Sequence, residues 1–173
     1  MTQPNIAYKG FTLIELLIVL IIIAITLAIG IPNIRATIIS NRLTASANDM
    51  IVALQLARSE SIKKVRLAGV SIGTDNNGNS APNKWIAFLE SSTLPTSTPT
   101  AGTGTLIQSY EAATNIDLTV TSAGTNDDTP TYRSDGRLNS STTITMDFTT
   151  INATEKRTIT IAPSGRVSVT TTP

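Results

Sequence analysis

Gly10-Phe11-Thr12-Leu13-Ile14-Glu15-Leu16-Leu17-Ile18-Val19-Leu20-Ile21-Ile22-Ile23-Ala24-Ile25-Thr26-Leu27-Ala28-Ile29-Gly30-Ile31 decides how the rest of this 173-residue chain is read. No side chain from Leu16 to Ile34 is ionisable. As a helix rising ~1.5 Å per residue this run is about 28 Å long, close to the ~30 Å hydrocarbon core of a bilayer. It is long enough to span a membrane. Its one acid, Glu15, would be costly in hydrocarbon and needs a partner or a route to water. Two readings stay open. The carboxylate either reaches the membrane surface near the helix start, where the dipole favours an anion, or it meets an amine. Cleavage after Gly10 would create that amine on Phe11, four residues ahead of Glu15, the spacing at which groups share a helix face. The same two groups could also pair between neighbouring subunits.

On the N-terminal side, Met1 to Gly10 holds one lysine and no acid, which keeps this end cytoplasmic by the positive-inside rule. A secretory signal would lose its apolar core with the leader, whereas here the glycine precedes the apolar run and the run is retained. On the C-terminal side, Gly30-Ile31-Pro32 joins a poor helix former to a residue that cannot donate to the Ala28 carbonyl. A helix break, as a kink or a local melt, is expected at Gly30 and Pro32. From Asn33 to about Lys64, Leu43, Ala47, Met50, Leu54 and Ala57 recur at alternating intervals of four and three, with Ile34 and Ile38 before them and Ile62 behind. That periodicity predicts an amphipathic helix packed by one face on a sheet, leaving Arg35, Arg42, Asp49, Arg58 and Lys63 for solvent or neighbouring subunits.

Beyond Lys64 the period changes to two and the composition shifts to Thr, Val, Ile and aromatic residues. Strands are predicted near Val65–Ile72, Lys84–Glu90, Leu106–Glu111, Ile116–Thr121, Thr142–Thr149, Arg157–Ala162 and Arg166–Thr170, with a short extended piece within Thr131–Leu138. Turn signals stand at Asp75 to Asn79, Asn126 to Asp128, Asp135-Gly136 and Ser164-Gly165. Ser91 to Thr105 is too poor in apolar residues to form structure of its own and reads as an exposed loop. The expected fold is α+β, with a long N-terminal helix lying by its second half on one or two antiparallel sheets. The chain divides into a leader at 1–10, a transmembrane half-helix at 11–32, and one globular domain at 33–173 whose helix ends near 64.

Composition limits the function. Charged residues make up 14% of the chain against a usual ~25%, which suits a secreted or assembled surface better than a cytosolic enzyme. Without residues 1–10 the chain keeps 12 basic and 12 acidic side chains, so its net charge implies no bulk attraction to nucleic acid. Cysteine and histidine are both absent, which removes disulfides, thiolate chemistry, the commonest general base and the commonest zinc ligand. We name no catalytic residue, cofactor or metal ligand. Asp75-x-Asn77-x-Asn79 opens like a calcium loop but continues with Ser80 and Ile86 where glycine and a bidentate acid are needed, so it reads as a polar turn. Arg137 and Arg166 sit in matching Gly-Arg-aliphatic surroundings and look like equivalent hairpins. The plain reading is that glycine makes each turn and arginine is solvated beside it.

Lys9-Gly10-Phe11-Thr12-Leu13-Ile14-Glu15-Leu16 resembles the processing and methylation site of type IV prepilins and type II secretion pseudopilins. The resemblance implies cleavage after Gly10 by a prepilin peptidase, methylation of Phe11, a role for Glu15 in assembly, and a proline where Pro32 stands. Trp85 to Phe88, Leu106 to Tyr110, Ser134 to Leu138 and Ile159 to Val167 are similar to the GspH/FimT/FimU family of minor pilins and pseudopilins. It implies a minor pilin that primes or enters a type IV pilus, near the tip. Its partners would be other pilin subunits bound through the N-terminal helix, after residence in the bacterial inner membrane. A pseudopilin of a type II secretion system, with a periplasmic filament, is the alternative. A third reading is DNA binding in transformation, because DNA-binding members of the FimT branch carry Gly-Arg-x-Arg. Here the segment is Gly165-Arg166-Val167-Ser168. The second arginine is missing, which leaves Arg166 and Arg137 as the candidate DNA contacts and lowers the number of phosphates neutralised.

Overall fold

A computed structural model of the chain describes residues 10–74, 80–90, 104–122, 129–151 and 155–172. The leader before Gly10, the Asp75–Asn79 and Asn126–Asp128 turns, and the loop at 91–103 lie outside the described residues. The first element is helix α1, Leu13–Lys64, and it is helical without interruption. The local melt expected at Gly30 and Pro32 does not occur. A proline forfeits one helical bond, but the flanking turns still close theirs and the backbone keeps its path. The chain forms two compact units, Met1–Ile38 and Ile39–Pro173, and α1 contributes to both.

Within the first unit the large apolar side chains from Phe11 to Ile38 are all exposed, at 45% to 85% of their surface. Within the second, the predicted stripe is buried: Leu43, Met50, Leu54 and Ala57 at 0% and Ala47 at 2%. Two expectations for this helix are corrected. Ile62 is not on the buried stripe but half exposed, because its side chain lies over the Gly136 turn instead of the sheet. Arg58, expected in solvent, is part-buried and bonds to Gly165.

The helix ends at Val65, where a strand was expected to begin. Val65 has φ of 54°, and the Arg66 N–H donates to the Ser61 carbonyl at 3.2 Å. This six-to-one bond around a left-handed residue is the Schellman termination, usually built on glycine. The strand therefore starts only at Ala68.

Eight strands follow: β1 Ala68–Thr74, β2 Ser80–Leu89, β3 Thr105–Glu111, β4 Ile116–Ser122, β5 Thr131–Tyr132, β6 Ile144–Thr150, β7 Lys156–Ile161 and β8 Val167–Thr172. They make two antiparallel four-stranded sheets, ordered β3-β2-β1-β5 and β4-β6-β7-β8. The extended piece expected within Thr131–Leu138 is reduced to β5 and a Tyr132–Leu138 bridge, since Asp135-Gly136 turns the chain between them. Alternation explains the second sheet: Ile144, Met146 and Phe148 on β6, and Ile159 and Ile161 on β7, point inward and are buried. Trp85 of β2 ties the layers together. Its indole stacks on Tyr110 at 6.0 Å and meets Phe148 of the other sheet edge-on at 5.8 Å. Small residues on the helix, Ser46, Ala47, Ala53 and Ala57, let it approach closely, and Ser46 Oγ accepts the Ala113 N–H at 3.0 Å.

Candidate functional site: the capped helix start and the paired glycine turns

The helix start is set by its sequence. Thr12 stands just ahead of Leu13, and the Glu15 N–H donates to Thr12 Oγ1 at 3.3 Å, while the Leu16 N–H donates to the Thr12 carbonyl at 3.3 Å. Thr12-Leu13-Ile14-Glu15 therefore has the threonine half of a capping box. The signal Thr-x-x-Glu was legible in the sequence, yet that reading passed over Thr12. Phe11 is 85% exposed, nothing approaches within 4 Å of where a Gly10 Cβ would lie, and Glu15 is exposed in the first helical turn. The peptide bond after Gly10 and the carboxylate one turn beyond it are both open to a second molecule. α1 as a whole contains a window long and apolar enough to cross a membrane.

A second cluster lies in the sheet unit. In the first turn the Gly136 N–H donates to the Arg133 carbonyl at 2.8 Å, and the Arg133 N–H to the Arg137 carbonyl at 2.8 Å. In the second, the Gly165 N–H donates to the Ala162 carbonyl at 2.8 Å and the Ala162 N–H to the Arg166 carbonyl at 2.9 Å. Gly136 and Gly165 have φ of 75° and 80°. These are two copies of one hairpin, a turn closed by a left-handed glycine. They also touch. The Leu138 N–H donates to the Pro163 carbonyl at 3.0 Å, and a Cβ on Gly165 would collide with the Gly136 carbonyl oxygen. Arg58 of α1 lies against both, its Nη1 donating to the Gly165 carbonyl at 3.1 Å.

The turns thus bring Arg137 and Arg166, 29 positions apart in sequence, to one place. Arg133, Arg137 and Arg166 are exposed there, beside the helix end that carries Lys63 and Lys64. Lys63 pairs with Glu60 at 3.1 Å. Arg58, Lys64, Arg66, Arg133, Arg137 and Arg166 form no ion pair among the described residues. Next to them Tyr132 is fully buried. Burial pushes its hydroxyl up to about 12 against a small opposing pull from Arg58. No group of three Asp or Glu side chains that could hold a metal occurs among the described residues.

An apolar helix opening on a processing-type motif, continued by an amphipathic half that packs on antiparallel sheets, defines a pilin-like filament subunit. Two family models match the chain: the prokaryotic N-terminal methylation motif over residues 7–31 and the type II transport protein GspH over residues 46–165. The second covers more than half of the chain, which belongs to the GspH family, within the type IV pilin and pseudopilin superfamily. Solved structures share its fold. The type IV minor pilin FimU of Pseudomonas aeruginosa is similar at 16% identity and a TM-score of 0.55, over 76% of this chain and 90% of that one. The minor pseudopilin EpsH from the type 2 secretion system of Vibrio cholerae is similar at 14% identity and a TM-score of 0.51, over 75% and 97%. No curated protein matches.

Proposed function

We propose that the protein is a minor type IV pilin, cut after Gly10 by a prepilin peptidase, methylated on Phe11, and packed into a pilus near its tip. The observation that carries this reading is the uncovered apolar half of α1. Its leucine and isoleucine side chains find no partner within their own unit and must be covered by lipid and then by neighbouring helices. During that exchange the Glu15 carboxylate compensates the N-terminal amine of a neighbour, which removes two charges from an apolar core and fixes the stagger between helices. Glu15→Ala should lower incorporation into shed filaments while leaving thermal unfolding of the sheet unit unchanged. Normal incorporation would contradict the assignment, as would an intact Met1 on the membrane-bound protein in cells with a working peptidase. The pseudopilin alternative is favoured by the EpsH likeness and is separated by asking which filament, surface pilus or periplasmic pseudopilus, contains the chain.

The meeting of the two glycine turns favours DNA contact as a second reading. It assembles Arg137 and Arg166 where the sequence supplies only one arginine at the C-terminal motif. Retardation of duplex DNA at low salt by the 39–173 unit, lost in the Arg137→Ala, Arg166→Ala double variant, would support it. Equal failure of both proteins to bind would remove it.

A further inference from the structure

We propose that the edge of β8 pairs with β8 of a second copy of this chain, in antiparallel register about Val169, to form one continuous sheet across a two-fold axis. The four sheet edges among the described residues are β3, β5, β4 and β8, and natural sheets protect such edges by shortness, charge, bulges or cover. β5 is two residues long. β3 ends in Glu111 and its pairing with β2 is broken by a register shift at Ala87/Phe88. β4 carries Asp117. β8 has none of these devices: six residues, Val-Ser-Val-Thr-Thr-Thr, without charge or proline, paired to β7 in unbroken register from Ile161–Val167 to Lys156–Thr172.

The hairpin fixes which backbone groups are free. The Ala162 N–H bonds the Arg166 carbonyl, so bonded pairs alternate from there and fall at Thr160–Ser168, Thr158–Thr170 and Lys156–Thr172. Val167, Val169 and Thr171 therefore aim their N–H and C=O groups away from β7. Their side chains share a face with the buried Ile159 and Ile161, opposite which Val167 and Val169 stand in the ladder. Val169 nevertheless remains 45% exposed. An inward-facing valine left half uncovered beside a free row of donors and acceptors is what an added strand would complete.

A second copy is the occupant the strand itself specifies. A strand without charge presents no like-charge clash to its own image, and a two-fold through Val169 sets Val167 opposite Thr171 of the other chain. Each free donor then meets a free acceptor and two half-covered valines meet. Directly opposed residues of a bonded antiparallel pair have Cα atoms ~5.5 Å apart, within disulfide range.

The chain has no cysteine, so the test is a single-site one on the full-length protein in native membranes. With a mild oxidant, Val169→Cys should yield a covalent dimer. Ser168→Cys, whose Cα atoms would sit about two residues out of register across the axis, should yield several-fold less. Val169→Lys should abolish dimer captured by a lysine-independent chemical cross-linker while Trp85 near-ultraviolet dichroism stays native. Equal linkage at 168 and 169, no linkage at 169, or dimer undiminished in Val169→Lys would each overturn the proposal. So would linkage only between β8 and another subunit's introduced cysteine.

Discussion

The two halves of α1 share one backbone geometry and opposite relations to their surroundings. From Phe11 to Ile38 every large apolar side chain is exposed, whereas from Leu43 to Ala57 five residues at alternating intervals of four and three are at most 2% exposed. Both halves are helical for local reasons, yet only the second is held by its own protein. The first is apolar all round, the pattern of a helix built for lipid or for other helices. The second is striped, the pattern of a helix built for one sheet surface. Continuity of secondary structure therefore says nothing about where the stabilising contacts come from.

The sharpest way to break this comparison is to remove the same group from each half. Leu54→Ala should destabilise the sheet unit by about 3 kcal/mol, from lost burial and the cavity left behind. Leu20→Ala, at a site 57% exposed, should leave that unit's stability within ~0.5 kcal/mol. Urea unfolding of the full chain in detergent, followed through Trp85, the one tryptophan, measures both. Equal losses would mean that the halves draw on one common set of contacts.

The second half is also held at its far end by the glycine turns, and they can be ranked. Gly165→Ala places a methyl against the Gly136 carbonyl oxygen and forces alanine to φ of 80°. The backbone must move, and a loss of about 3 kcal/mol is expected. Gly136→Ala carries similar strain at φ of 75°, but its methyl would meet the end of the Ile62 side chain at 2.9 Å. Ile62 is half exposed and can swing aside, so the loss should be nearer ~1 kcal/mol. The same urea titration ranks them, and a reversed order would show that the turns do not lean on one another as the hydrogen bonds indicate.

A smaller effect tests how dry the interior beside the second half is. Tyr132 has no hydrogen-bond partner for its hydroxyl among the described residues, and burial raises its pKa to about 12. The unfolded phenol ionises near pH ~10. Folding thus favours the protonated form: the contribution is complete below pH ~10 and is lost as pH rises toward about 12, at ~1.4 kcal/mol per pH unit. Tyr132→Phe should flatten that alkaline limb and raise stability near neutrality by about 1 kcal/mol. An unchanged alkaline slope would place the phenol in water.

How much of this was legible depended on whether the deciding contact was local. The stripe from Leu43 to Ala57, the inward residues of β6 and β7, and the likeness of the two Gly-Arg hairpins follow from periods and turn residues, and all could be read directly. That the hairpins touch could not, because it depends on 29 residues of intervening chain returning to one place. Arg58 looked like a solvent-facing charge for the same reason: nothing near it in sequence announces Gly165. The cap at Thr12 was legible in Thr-x-x-Glu and simply passed over.

Val65 marks the boundary where local reasoning failed, and it carries the smallest expected effect. A β-branched residue favours a strand, so Val65 was placed at the start of one. Instead it stops the helix in the left-handed region at φ of 54°, a conformation that costs a side-chain-bearing residue ~1 kcal/mol or more. Its side chain is 69% exposed, so little packing offsets that cost. What holds it is the Arg66 N–H bond to Ser61 together with β1, which must begin at Ala68 on the far side of the turn. Val65→Gly should therefore stabilise the sheet unit by about 1 kcal/mol, less a few tenths for the freer unfolded chain. A destabilised variant would mean that the valine is gripped by contacts its exposure does not reveal, and that the second half of α1 is fixed from beyond its own stripe.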